Sequence, residues 1–208
     1  MPSLEALSRV SLDNYRAMLT FPWLSEALKN TGIMILVAPT LAVLICLVVS
    51  WIVVRTKIHG RRILDMLSFL PHVIPGIVLG LAFMWLYLRI DFIPIYGTLW
   101  IMILAFATAH MAYGTRTLNA AMIQLHKELE EASQISGASW LTTFSRITIP
   151  LLIPSIISVW IWSAIHIIRS TSIPVMLYSS KSRVLSVLIW DLWGNGQIGY
   201  TSAVGVML

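Results

Sequence analysis

The sequence predicts an all-α polytopic membrane protein with four complete transmembrane helices and a truncated fifth. Three observations carry this. The composition is 58% apolar and 11% charged, with a mean hydropathy of +0.83, whereas a soluble domain carries about 25% charged residues. The acidic and basic residues are separated by long uncharged gaps, and about 20 apolar residues in a helix span a hydrocarbon core. The basic residues flank those gaps and form no tract interleaved with aromatics. The net charge of +5 and pI near 9.7 therefore read as topology signals rather than as nucleic-acid binding. The single cysteine, Cys46, lies in an apolar run, which excludes an internal disulfide and a multi-cysteine metal centre.

Residues 1–32 read as an external, interfacial segment. Glu5, Asp13 and Glu26 balance Arg9, Arg16 and Lys29, and Leu12, Tyr15, Leu19, Trp23, Leu24, Ala27 and Leu28 recur at helical spacing. Pro22 divides them into two short pieces on the membrane surface. The first crossing is 33–54, ended by Arg55, and the second is 66–88, between Asp65 and Arg89. In the gap that opens at Phe92, Pro94 and Gly97 delay the helix, so the third crossing is 98–115. The fourth is 147–168, and 118–146 forms a loop between the two. A polar turn at 194–197 precedes 198–208, about half a crossing.

Orientation follows from Arg55, Lys57, Arg61 and Arg62, which crowd one short loop and place it in the cytoplasm. The loop 118–146 is then also cytoplasmic, and 89–97 and 169–191 are external. Trp51, Trp85, Trp100, Trp190 and Trp193 fall at span ends, where headgroups lie, whereas Trp160 and Trp162 fall inside the bundle. An external N-terminal segment with no signal peptide implies a preceding membrane helix, so the chain is expected to be a fragment, or a second half separated from its first.

The cytoplasmic loop carries the chemistry. It contains Glu131-Ala132-Ser133, three residues, Gly137, nine residues, then Ile147-x-Ile149-Pro150. This arrangement resembles the EAA loop of ABC importer permeases, with Ser133 for the second Ala and Ile149 for Leu. The segments beginning at Ala27, Phe69, Ile95, His126 and Met176 are also similar to the type I importer membrane domain (MetI-like), and among its members to iron(III)-type permeases and their polyamine, thiamine, phosphonate and sulfate relatives. The resemblance implies a type I ABC importer transmembrane domain over 33–208 with a cytoplasmic coupling helix, in the bacterial inner membrane. It implies that Glu130, Glu131, Ala132, Ser133, Gly137, Ala138, Ile147 and Pro150 form the ATPase-coupling element. The implied partners are a cytosolic ABC ATPase dimer, a second permease domain and a periplasmic substrate-binding protein, in a lipid bilayer. Iron(III) is the implied cargo.

The residues allow the same reading physically. The proline-free stretch 118–136 favours a helix, Gly137 permits the left-handed turn that ends one, and 140–145 starts another short helix. Small residues there allow a partner close, and Glu130 and Glu131 are expected to pair with its basic groups. None of the eleven glycines is followed by Lys, so no P-loop is present. No cofactor is expected, ATP belonging to a partner subunit, and no HExxH or GxSxG pattern supports an enzyme. A passive channel would have no use for the coupling loop.

Pro71, Pro75, Gly76 and Gly80 mark a broken second helix, and two readings stay open for it: lining a translocation path or simple helix packing. Pro150 and Pro154 do the same in the fourth. His72 and His110 are placed toward the cytoplasm and His166 toward the outside, which argues against a shared metal site and for neutral hydrogen-bonded imidazoles. Arg116 reads as a snorkelling anchor, and the hydroxyl-rich stretch from Ser170 to Arg183 as a solvated external loop.

Overall fold

The structure, a computed structural model, describes residues 12–90 and 94–207. Glu5 and Arg9 of the interfacial segment, Phe92 of the third apolar gap and Leu208 lie outside the described residues.

All regular structure among the described residues is helical. Helix α1, Asp13–Leu19, is followed by α2, Leu24–Arg55, of 32 residues. The second of the two predicted surface pieces therefore merges with the first crossing. Nothing between Trp23 and Ile33 breaks a helix, Pro22 stands just before its start, and Glu26 in its first turn favours the positive helix end. At about 48 Å, α2 is the backbone of the bundle.

The predicted second crossing is two helices. Helix α3, Arg61–Phe69, continues through a 3₁₀ turn at Leu70–Val73 and meets α4, Gly76–Leu88, at 111°. Pro75 drives the bend: it offers no N–H, and it holds Ile74 extended at φ −88°, ψ 122°. The 13 residues of α4 span about 20 Å, short of the hydrocarbon thickness of about 30 Å.

Helices α5, Leu99–Ala109, and α6, Met111–Gln124, meet at His110 and carry the third segment well past Thr115. Helix α7, Lys127–Ile135, is short and polar. Helix α8, Trp140–Arg169, runs 30 residues through a π-turn at Phe144–Thr148. The expected separate helix at 140–145 is thus the first turn of the membrane helix. Pro150 has no N–H for the Arg146 carbonyl, and the widened turn before it relieves the clash its ring would cause. The chain closes with α9, Ser172–Leu177, α10, Leu185–Gly194, and α11, Ile198–Met207. Among the described residues, α2 and α8 are long and apolar enough to cross a membrane, and the bent α3–α4 pair makes a third span if it counts as one.

The bundle has two chemically distinct ends. At one, Arg55 meets Glu130 and Asp65 meets Arg116; we call it the basic end. At the other, Asn30 Nδ2 donates to the carbonyls of Lys181 and Arg183 at 3.4 and 2.9 Å, the Leu185 N–H donates to Thr31 Oγ1 at 2.9 Å, and Ser179 Oγ donates to the Gly97 carbonyl. The stretch 170–183 is therefore not a solvated loop. Ile173, Pro174 and Leu177 of α9 and Val184, Leu185, Val187 and Leu188 around the start of α10 are buried, because the apolar content of these short helices is satisfied only by packing on α2, α4 and α5. Asn30→Ala is expected to leave both carbonyls without their donor, at about 1–2 kcal/mol. Faster tryptic cleavage at Lys181 and Arg183 than in the unmodified chain would report it.

Between the ends, α2, α6 and α8 cross closely. Gly114 lies where an added Cβ would stand 2.6 Å from Cys46 Sγ and 3.3 Å from Val159 Cγ1, and Cys46 and Val159 are fully buried. Trp160 and Trp162, expected in the bundle interior, are half-buried: Trp160 Nε1 donates to Oγ1 of the exposed Thr40 at 3.0 Å, and Trp162 stacks on Tyr113 at 3.9 Å.

Candidate functional site

The coupling element begins where α6 ends. The helix expected over 118–136 is broken in two: Leu125 and His126 are extended, so α6 stops at Gln124 and α7 starts afresh at Lys127. Its termination is a Schellman arrangement: the Gly137 N–H donates to Gln134 O at 2.9 Å and the Ala138 N–H to Ser133 O at 3.1 Å. Gly137 takes φ +84° there, which a residue with a Cβ adopts only with strain. Ser139 then caps α8, its Oγ accepting from the Thr142 N–H.

One face of this helix–turn–helix is latched to the bundle. Arg55 Nε stands 3.0 Å from Glu130 Oε1, with the two side chains 5% and 21% exposed. The contact is an ion pair without an aligned Nε–H hydrogen bond, while the guanidinium NH2 donates to the Leu125 carbonyl at 2.9 Å. Thr148 Oγ1 donates to the same Glu130 oxygen at 3.4 Å, and Ser133 Oγ and Thr143 Oγ1 lie 3.0 Å apart. Trp51 of α2 packs edge-on against Trp140 and Phe144 at 4.9 and 6.3 Å. Thus α2 grips both arms of the element.

The expectation that Glu130 and Glu131 both face a partner is corrected for the first of them. Glu130 is consumed inside the chain by Arg55, whereas Glu131, Ala132 and Gly137 are exposed. They share that outer surface with Ile135 and Leu141, 87% and 65% exposed. Ser133 and Ala138 are half-buried in the turn, Ile147 is half-buried in the π-turn, and Pro150 is exposed one turn into α8. Sequence reasoning missed Arg55, Trp51 and Thr148. Arg55 read as the end of a span, and no local signal ties it to a carboxylate 75 positions later.

The other candidates fall elsewhere. Gly76 and Gly80 face α9: added Cβ atoms would stand 3.3 Å from Ser172 Cβ and 3.0 Å from Met176 Cβ. Pro71 and Pro75 form the α3–α4 bend. Arg116 is not a free anchor but pairs with Asp65 at 3.1 Å, and Asn119 Nδ2 donates to the other carboxylate oxygen at 3.3 Å.

His110 and His166 do not lie at different ends either. Their ring centroids are 6.4 Å apart, both against Trp162. Because α6 extends to Gln124, His110 falls midway along the α5–α6 segment, level with His166. His166 Nδ1 pairs with the Trp162 carbonyl at 2.8 Å.

The architecture matches that of solved importers. The chain aligns with a bacterial ABC transporter involved in the import of the acidic polysaccharide alginate, with a TM-score of 0.77 at 18% identity, over 95% of this chain and 78% of that one. An alginate ABC transporter in complex with an alginate pentasaccharide-bound periplasmic protein aligns with a TM-score of 0.74 at 18% identity, over 98% of this chain and 79% of that one. In sequence the chain is 32% identical, over 96% of its length, to the ferric transport system permease protein FbpB of Actinobacillus pleuropneumoniae, of which it spans 29%. It is 30% identical, over 73% of its length, to the sulfate transport system permease protein CysT of Salmonella typhimurium, of which it spans 58%. Residues 54–208 match the family of binding-protein-dependent transport system inner membrane components, and the chain belongs to that family.

Proposed function

We propose that the chain is one membrane half of an ATP-driven importer, docking a cytosolic ATPase through the outer face of α7 and its turn and moving iron(III) inward. The observation that carries this is the division of labour in the coupling element. Glu130 ties α7 to α2, and Glu131, Ile135 and Leu141 stay exposed on the other side. Exposed apolar side chains beside a carboxylate at the basic end suit a groove in a partner protein better than bulk water. An ATPase that closes on ATP would then move α7, and the latch would carry that movement into α2. Such transmission requires that the docked partner bind the two transporter conformations unequally.

Cargo follows from the ferric relatives, which cover nearly the whole chain. A sulfate cargo is the second reading, favoured by the CysT relatives at closely similar identity. Uptake assayed with each candidate binding protein and its ligand decides between them.

Two variants test the docking surface. Glu131→Arg reverses the exposed charge, and Gly137→Pro is incompatible with φ +84° and removes the N–H that closes the turn. Both are expected to insert normally, lose co-purification with the ATPase and abolish uptake. Normal uptake in both would overturn the assignment.

A further inference from the structure

Between α2, α3 and α6 at the basic end lies an open cavity of ≈ 440 Å³. Arg61, Arg62, Arg116, Asp65 and Asn119 line it together with Val53, Val54 and Ile123. We propose that it holds the phosphodiester headgroup of an anionic inner-leaflet phospholipid bearing a headgroup hydroxyl, of the phosphatidylglycerol type. The inference needs only the membrane sidedness of the proposed function, not its cargo or its ATPase.

The charges favour an anion. Three guanidiniums face one carboxylate, and that carboxylate is occupied by Arg116 at 3.1 Å and Asn119 at 3.3 Å. Arg61 spends one donor on the Thr56 carbonyl at 2.6 Å and keeps others, since a guanidinium carries five N–H groups. Arg62 is exposed and makes no ion pair among the described residues. The spare donors suit phosphate oxygens, which arginine binds in forked geometry.

Asn119 adds a second requirement. It is 8% exposed, and its Nδ2 is committed to Asp65, which fixes the orientation of the amide. Its Oδ1 is buried with no partner among the described residues, and Asn119 lines the cavity, so a ligand there that carries a donor satisfies it. A phosphodiester alone supplies none, whereas a headgroup hydroxyl does, without bringing an ammonium among the three guanidiniums.

The surroundings place acyl chains within reach. Ile63, Met66, Leu67 and Leu70 recur at i, i+3, i+4 and i+7 along α3 and are 62%, 72%, 56% and 56% exposed. That stripe is the lipid-facing side of an interfacial helix. Arg61, Asp65 and Ser68 form the opposite stripe, with Ser68 Oγ 3.4 Å from Thr115 Oγ1 of α6. The helix thus lies in the headgroup layer with its charged face over the cavity, as basic pockets between membrane helices do when they hold anionic headgroups.

The test is native mass spectrometry of the full, delipidated chain titrated with phosphatidylglycerol, phosphatidylethanolamine or phosphatidylcholine, with and without millimolar inorganic phosphate. Phosphatidylglycerol is expected to be retained at least tenfold better than phosphatidylcholine, and Arg62→Gln to weaken retention about fivefold, the effect of one arginine near a surface. Free phosphate should not displace the lipid. Equal retention of the three lipids, preference for phosphatidylethanolamine, displacement by phosphate, or indifference to Arg62→Gln in a chain of unchanged thermal stability would each overturn the proposal.

Discussion

Arg55→Leu is expected to free α7 from the bundle. The substitution leaves Glu130 facing a site where its counter-ion is gone and the Leu125 carbonyl without its donor. Removing one partner of a largely buried pair costs about 3–5 kcal/mol. Glu130 is partly exposed, so the lower end applies. The loss is local, because Arg55 holds an element at the rim and not the core. Amide hydrogen exchange over 127–135 should therefore accelerate about 100-fold, the equivalent of roughly 3 kcal/mol, while exchange in the middle of α2 stays slow. Glu130→Gln should show most of the same acceleration, and combining the two should add little, since both remove one interaction. Unchanged exchange over 127–135 in either variant would mean that the latch carries no stability.

Gly114→Val is expected to produce the largest loss of global stability. Its Cβ would stand 2.6 Å from Cys46 Sγ and 3.3 Å from both Cys46 Cβ and Val159 Cγ1, at the crossing of α2, α6 and α8. Cys46 Sγ and Val159 Cγ1 end short side chains with a single χ angle each, both fully buried, and have little room to swing away, so the helices must separate. Overpacking of this kind costs about 1–3 kcal/mol, and a valine sits at the upper end. Thermal unfolding in detergent should move down by several degrees for Gly114→Val and less for Gly114→Ala. Adding Cys46→Ala removes the sulfur and should restore much of the loss for the alanine variant. An unshifted Gly114→Val would show that the crossing is looser than the geometry states.

How much of this was legible in the sequence differs by kind of signal. Local chemistry read well. The left-handed turn at Gly137, the helix start at Trp140 and the crowding of Arg55, Lys57, Arg61 and Arg62 in one loop all depend on neighbours within a few positions. Helix ends read less well. The gap rule starts a span at the last charge, so it cut α2 at Ile33 although Lys29 and Glu26 are compatible with a helix that continues through the headgroup layer. The same rule treated 66–88 as one rod, while Pro75 folds it by 111°. A misplaced end then propagated: ending the third helix at Thr115 put His110 near the basic end, and the helix to Gln124 puts it beside His166.

Long-range pairings were the least visible. Arg55 with Glu130 and Asp65 with Arg116 and Asn119 are separated by dozens of residues; Arg55, Asp65 and Arg116 each have a sufficient explanation as a span boundary, and Glu130 as a partner contact. The hydroxyls from Ser170 to Arg183 suggested solvent because the buried residues there alternate with polar ones that bond to backbone. Only the partner carbonyls and amides on α2 and at Gly97 show why those polar groups lie inside.

Docking of a separate ATPase on the outer face of α7, as proposed, requires that face to be cytosolic and covered when the ATPase is present. Ile135→Cys tests it most directly, since this position is 87% exposed and the native Cys46 is fully buried. In sealed right-side-out vesicles the introduced thiol should resist a membrane-impermeant maleimide. In inverted vesicles it should react, and the co-expressed ATPase should protect it from the maleimide. Labelling from the outside, or equal labelling with and without the ATPase, would contradict the account.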